Sequence, residues 1–427
     1  RKKGTFKMKK NLLKKLLSVL LITSFTASMA GCQNPSTDDQ SIITLSPSTE
    51  SVEVYRISHD TKESIRFSSA DFAINLLKET SNVSSDNILI SPISIQATLA
   101  MSANGANGDT LSAMTNVLCG DNTIDELNAY MASYLPNNDM ITSVNGIWVS
   151  DVINPDSVNQ DFIAVNSGIY NAEFRIAKFD DTVVNDINNF VNTNTNGMIP
   201  DIVEDLDPLA CVVLVNAITF EGKWADEYKD YDVIEGKEFN NIDGSISKIT
   251  GLISIEDEYC SNENCTGFIK YYENRSYAFM ALLPNEDISL EDFINTLDGE
   301  AFLALYDDAE SASVSTMIPE FSLEYNVRLN SALADMGMGI AFSKSADFSN
   351  MISGESDIMI GKVYHKTYIT VDRTGTSAAA ATEEELDYKS ADSSGDPYFV
   401  FLDRPFVYAI IDTNTGLPVF LGTVTNL

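Results

Sequence analysis

The sequence predicts a single α+β domain, and three observations carry that prediction. Early in the chain apolar residues recur at helical spacing, as in residues 69–78, where Phe72, Leu76 and Leu77 fall on one side. Late in the chain strand-like runs dominate, and the last 26 residues alternate and turn at Asp412 to Gly416. Between them there is no regular strand–helix rhythm of the kind that builds a parallel sheet. No internal repeat is present, and 427 residues suffice for one large core.

Taken in order, residues 1–31 read as a targeting segment. They hold eight basic residues and no acid, with Lys9, Lys10, Lys14 and Lys15 ahead of a short apolar run and Met8 as the expected start. That run is too short to span a membrane and suits a signal peptide. Met29-Ala30-Gly31-Cys32 resembles a bacterial lipobox, which implies cleavage before Cys32 and acylation of its thiol; ordinary secretion with Cys32 unmodified is the alternative. Residues 32–64, rich in Ser, Thr and Asp, read as a flexible stalk with a reach of roughly 30 Å, and His59 within it has no expected task. The expected location is therefore extracellular or at the cell surface, anchored by lipid to a bacterial membrane. The folded domain is expected over residues 65–427.

Within the domain, residues 87–90 read as a short buried strand. Ser91 follows as a helix N-cap with Pro92 at the first helical position, and Asn104-Gly105 gives a left-handed end. Residues 145–149 read as a strand. Residues 212–220 form an unbroken apolar run around one polar residue, Asn216, as in a fully buried strand, and a buried Asn must be hydrogen-bonded. Residues 268–272 and 277–283 are expected to form a hairpin around 273–276.

The segment Val371 to Ser390, VDRTGTSAAAATEEELDYKS, stands apart. Alanine favours helices and is depleted in strands, so one reading is a short exposed helix or a low-complexity linker. The other is a segment able to serve as a loop and later as a strand. Side chains alternate faces in a strand, so Thr376, Ala378, Ala380 and Thr382 would line one side with small groups. Ser377, Ala379, Ala381 and Glu383 would face solvent.

Gly375-Thr376-Ser377-Ala378-Ala379-Ala380-Ala381-Thr382, together with His365-Lys366 before it and Arg404-Pro405-Phe406 after it, resembles the hinge and closing strands of a serpin. Asn216-Ala217-Ile218-Thr219-Phe220-Glu221-Gly222-Lys223-Trp224, Thr195-Asn196-Gly197 and Ala346-Asp347-Phe348 are similar to further serpin segments, so the resemblance covers about residues 65–427. It implies a large central mixed sheet, two further sheets, eight or nine helices and an exposed reactive-centre loop. It implies a buried shutter of Ser91, Ser94, Asn216 and His365. It also implies an irreversible inhibitor, cut once at Lys389-Ser390, that inserts its cleaved loop into the central sheet. Serine proteases of trypsin-like or subtilisin-like type are the expected targets, with the cysteine class open, and the chain is expected to be a monomer. A cut after Tyr388, or Lys389 as a plain solvated lysine, remain alternatives, as does a non-inhibitory surface binding protein on the same scaffold. Arg373 and Thr374 depart from the acidic residues usual before this hinge, and Glu384 would point inward on insertion.

Other chemistries fit poorly. Beyond residue 31 there are 62 acidic and 19 basic residues, which excludes a nucleic-acid face and favours basic partners. Only two histidines are present, and only His365 lies in the expected domain, so a Ser-His-Asp triad is not expected. Ser245-Ile246-Ser247-Lys248 matches a Ser–Lys acyl-enzyme pattern in a polar, turn-like stretch. No metal or other cofactor is expected. Cys260 and Cys265 could close a local disulfide, while Cys119 and Cys211 sit in apolar contexts.

Overall fold

The structure is a computed structural model that describes residues 42–47, 56–82, 86–135, 139–206, 210–354, 358–376 and 397–427. All of them belong to one compact unit, Gln40–Leu427. The chain runs through β1 (Ile43–Leu45), α1 (His59–Ser81), β2 (Ile88–Ile90), α2 (Pro92–Ala103), α3 (Gly108–Cys119) and α4 (Ile124–Tyr134). Next come β3 (Ile141–Ser150), α5 (Gln160–Tyr170), β4 (Glu173–Ala177), α6 (Asp181–Asn194) and β5 (Val212–Phe220). β6 (Gly222–Lys223), β7 (Val233–Asn240), β8 (Ile246–Ser261), β9 (Cys265–Tyr271) and β10 (Tyr277–Pro284) precede α7 (Leu290–Thr296) and α8 (Gly299–Asp307). The rest comprises β11 (Glu310–Pro319), β12 (Phe321–Arg328), α9 (Asn330–Leu333), β13 (Tyr364–Val371), β14 (Gly375–Thr376), β15 (Tyr398–Phe401), β16 (Phe406–Asp412) and β17 (Pro418–Val424).

This is the α+β class expected, with three sheets and nine α-helices among the described residues. One sheet runs β1-β4-β3-β5 and a second β12-β13-β14-β6. The third has nine strands, β15-β11-β8-β9-β10-β16-β17-β2 with β7 beside β8, and parallel pairing at β11–β15 makes it mixed. The expected hairpin is β9–β10, in register from Ala278 opposite Tyr271 to Pro284 opposite Cys265. A smaller apolar cluster lies under α6, where Val183, Ile187 and Val191 meet Val144, Trp148 and Val215.

Several local expectations need correction. The helix read at 69–78 is α1, and its N-cap is Ser58, whose hydroxyl accepts from the Thr61 N–H. His59 therefore opens a helix, and a domain start at 65 falls inside that helix. The residues read as stalk also contribute β1, with Ile43, Thr44 and Leu45 opposite Ile176, Arg175 and Phe174 at the edge of β4. Ser91 precedes α2 but makes no capping bond with its side chain, which donates to Val419 O instead. Asn104 and Gly105 do not end α2 in the left-handed region: Asn104 stays helical at φ −60°. Gly105 is small for a different reason, since a Cβ there would lie 2.6 Å from Met351 Cβ. Cys260 and Cys265 are unbridged thiols buried at the β8–β9 turn.

Candidate functional site

The first turn of α2 sits beneath two neighbouring strands that do not pair with each other. β5 ends one four-stranded sheet and β13 lies in the other, and the two strands pack side by side without a shared ladder. Between the two sheets opens a cavity of about 540 Å³, lined by residues 196–200 and 366–368 with Glu221 and Glu324. Lys366 and Glu324 pair across its wall at 3.0 Å.

The four expected shutter residues come together here, and the structure divides them into two branches. On the β13 side, the Ser91 N–H donates to His365 Nε2 at 2.9 Å and the Ser91 hydroxyl donates to Val419 O at 2.7 Å. Thr367 adds a bond to Leu89 O at 2.6 Å. On the β5 side, the Ser94 hydroxyl donates to Asn216 Oδ1. Asn216 Nδ2 then donates to Asn145 Oδ1 at 2.6 Å, and Asn145 Nδ2 to Tyr170 O at 2.7 Å. Each half of the split is thus tied to the same helix start by buried polar groups, which are costly to leave unpaired. Asn145 was not singled out from the sequence, although a lone Asn in an apolar strand is the same signal that marked Asn216; the two stand directly opposite in the β3–β5 register.

Burial holds His365 neutral by pushing its pKa down to about 3 from 6.5. With Nε2 accepting from Ser91, the ring proton sits on Nδ1. In the unfolded chain this ring binds a proton below about pH 6.5, whereas in the folded protein it does so only near 3. The unfolded state therefore binds more protons across that window, so stability is full above it and is lost as pH falls through it. Acidification from pH 7 to pH 5 should cost about 2 kcal/mol from this group alone. His365→Gln should lose that part of the dependence. Urea midpoints measured at both pH values test it, and equal acid losses in parent and variant would refute the assignment.

Above the cavity the chain turns sharply between β13 and β14. Asp372 closes the turn by accepting from the Thr374 N–H at 2.7 Å, the Thr374 hydroxyl at 2.6 Å and the Gly375 N–H at 3.1 Å. A loop following β6 grips the turn from outside. The Trp224 indole donates to Asp372 O at 2.8 Å, Trp224 N–H to Thr374 O at 3.0 Å and Tyr228 N–H to Arg373 O at 3.0 Å. The Trp224 ring stacks on Tyr272 at 4.7 Å, and the Tyr272 hydroxyl lies 2.7 Å from Thr376 Oγ1. The buried Lys270 ammonium lies against the Trp224 ring at 5.4 Å and the Tyr228 ring at 4.5 Å, and 2.9 Å from Glu256. Burial favours the neutral amine, but Tyr228, Glu256 and Asp226 together keep the Lys270 pKa above the usual lysine value. Arg373 reaches Asp230 at 2.7 Å, so the turn is anchored to the β6–β7 connection through a basic residue.

Gly375 and Thr376 form β14, with Gly375 opposite Lys223 and Thr376 opposite Gly222. Ser377, Ala378, Ala379, Ala380, Ala381, Thr382, Lys389 and Ser390 lie outside the described residues, as does Cys32. The Ser–Lys pattern does not assemble a catalytic pair. Ser245 Oγ donates to Asp243 at 2.6 Å, and Lys248, exposed on β8, pairs with Glu238 at 2.6 Å. Among the described residues no group of three His, Cys, Asp or Glu side chains could hold a metal ion.

An α+β fold whose sheet is parted beside a pinned turn and an alanine-rich run defines the class of protein. The chain belongs to the serpin family: the family model described as Serpin (serine protease inhibitor) matches residues 67–427. Tengpin, a thermophilic serpin solved in its native state, is 36% identical with a TM-score of 0.80, over 88% of this chain and 97% of that one. An uncharacterized serpin-like protein of Thermococcus kodakarensis is 28% identical over 96% of this chain and 98% of its own length. Alpha-1-antiproteinase 2 of Equus caballus is 28% identical over 84% of this chain and 86% of its own.

Proposed function

We propose that this chain is an irreversible, single-use protease trap. The observation that carries the proposal is the parted sheet: β5 and β13 lie side by side unpaired, and the turn after β13 leads straight into the alanine-rich segment. A serine protease would attack the carbonyl carbon of Lys389. The Lys389–Ser390 amide breaks, the Ser390 amine leaves with a proton, and an ester joins Lys389 to the protease serine. Insertion of the freed segment between β5 and β13 would then carry the protease away from its working geometry. About a dozen newly paired residues at roughly 0.5–1.5 kcal/mol each supply on the order of 10 kcal/mol. Because the bond is consumed once, this is inhibition and not turnover.

A lysine before the bond suits a protease with a carboxylate at the base of its pocket, so trypsin-like enzymes are the first candidates, with subtilisin-like enzymes next. Incubation with each should give a complex that survives boiling in detergent and releases a C-terminal peptide beginning at Ser390. Cleavage with no stable complex would refute the trap and favour a surface binding protein. A peptide beginning beyond Ser393 would move the bait bond and change the target class.

Placement at the outer face of a bacterial membrane, through lipid on Cys32, belongs to the same proposal and rests on the lipobox-like sequence. Detergent partition should retain the parent and release Cys32→Ala; equal release of both into the medium would overturn it.

A further inference from the structure

Outside the parted sheet, the nine-stranded sheet brings together two tyrosines from strands that are not neighbours. Tyr259 lies on β8 and Tyr398 opens β15, with β11 running between them. Their rings are nonetheless stacked, with centroids 3.9 Å apart and planes 5° from parallel. That is closer than the roughly 4.5–7 Å at which aromatic pairs usually sit. The reason is local to β11. Glu310 stands opposite Tyr259 and Val314 opposite Tyr398, and the register shifts between Ser311 and Val314. Only Ser311, Ala312 and Ser313 fall in that interval, so no large side chain separates the rings. Small molecules can reach the stack, since Tyr398 is 37% exposed and Tyr259 half-buried. Burial raises the Tyr259 pKa and the Tyr398 phenol raises it further, so the two hydroxyl ends lie near each other. The Tyr398 hydroxyl also faces the Glu310 carboxylate at 3.4 Å.

We propose that Tyr259 and Tyr398 form an oxidative cross-linking site that joins β15 to β8 through a dityrosine bond. The co-reactant is a one-electron oxidant of the haem-peroxidase and hydrogen peroxide class. Each phenol gives one electron to the oxidant, and its O–H proton leaves, toward Glu310 for Tyr398 and to water for Tyr259. The two phenoxyl radicals couple at ring carbons ortho to oxygen, forming one C–C bond. Each of those carbons then loses its hydrogen as a proton while the oxygen regains one, which restores both phenols. The chain loses two hydrogen atoms in all, and one hydrogen peroxide becomes two waters. Holding the rings in contact makes the coupling unimolecular, which favours this pair over tyrosines that must meet by diffusion. Tyr130 and Tyr134, 5.4 Å apart and tilted by 38°, are buried away from such an oxidant. The consequence follows from the place of β15, which pairs with β11 alone and begins eight residues after Ser390. The bond ties the chain beyond the bait to the rest of the protein, so a cut between Thr376 and Tyr398 no longer frees the C-terminal piece. This inference needs the stack and an oxidant, and stands apart from the trap.

The test treats the full chain with a haem peroxidase and limiting hydrogen peroxide, beside Tyr259→Phe and Tyr398→Phe. Both variants keep the ring and remove the phenol, and retained melting midpoints confirm that they fold. Peptide mapping by mass spectrometry should find a linked Tyr259–Tyr398 peptide in monomeric protein, two hydrogen atoms lighter than its parts. Its yield should exceed that of any other tyrosine pair by at least about tenfold. Neither variant should give it. After a cut in the bait segment by trypsin or subtilisin, boiling in detergent should release the C-terminal piece from untreated parent and from both oxidised variants. The oxidised parent should keep that piece attached. Absence of dityrosine in the oxidised parent overturns the inference. Links mainly at other tyrosines or between chains overturn it too, as does release of the C-terminal piece from the oxidised parent.

Discussion

Gly375→Ala is expected to detach β14 from β6 and to lower the stability of the native form by about 1–3 kcal/mol. A Cβ at Gly375 would lie 2.1 Å from Gly222 O and 2.7 Å from Lys223 Cα, and both are backbone atoms that cannot swing away. Gly222 is constrained as well, since a Cβ there would meet Phe220 and Tyr272 at 2.8–2.9 Å. The two strands can therefore pair at this spacing only while both positions are glycine. Once they separate, Thr376 loses its contact with Tyr272 and the grip on the turn is left without its outer end. Native protein should then pass more readily to a form in which the segment after β14 has entered the parted sheet. Chemical denaturation of the native form, with native gel electrophoresis after mild warming, reads both effects. An unchanged midpoint together with unchanged mobility would show that the β14–β6 contact does not hold the hinge.

Under the trap proposed above, Ala380→Arg should turn trapping into plain cleavage. Alternation from Thr376 places residue 380 on the inward side of an inserting strand, where a guanidinium must be buried without a partner. A penalty of several kcal/mol at the barrier slows insertion by a factor of ten for every 1.4 kcal/mol, and hydrolysis of the acyl-enzyme overtakes it. Cutting at Lys389-Ser390 should continue at the parent rate, with the detergent-stable complex lost and protease activity recovered. A variant that still traps like the parent would exclude strand insertion. Thr376 itself is the poorer site for this test. The sequence suggests it as the first inward position, but its side chain is already buried in β14 before any cut, so a long substituent would damage the starting fold.

Much of the scaffold was legible because its signals are local. Pro92 after Ser91, the apolar run around Asn216, the turn at residues 273–276 and the closing strands depend on neighbours a few residues away. The hinge expected at Gly375 to Thr382 is a different case: it rests on a row of small side chains suited to close approach, and only Gly375 and Thr376 of it lie among the described residues. The resemblance supplied the grouping of Ser91, Ser94, Asn216 and His365, and the structure adds that His365 reaches the start of α2 through Ser91 while Asn216 reaches it through Ser94.

By itself the sequence determined the α+β class, the serpin resemblance and the acidic excess, since each follows from composition or from contiguous motifs. Only the tertiary structure decided that Ile43–Leu45 is a strand, because a three-residue edge strand is formed by the free backbone of β4 and leaves no pattern of its own. It alone paired Asn145 with Asn216, 71 residues apart, through the β3–β5 register. It alone set Lys270 beneath Trp224 and Tyr228, whose grip on the 372–374 turn joins groups about 150 residues apart. Contacts at such separations depend on how the strands register and how the rings fill the space between them, which no local run of residues encodes.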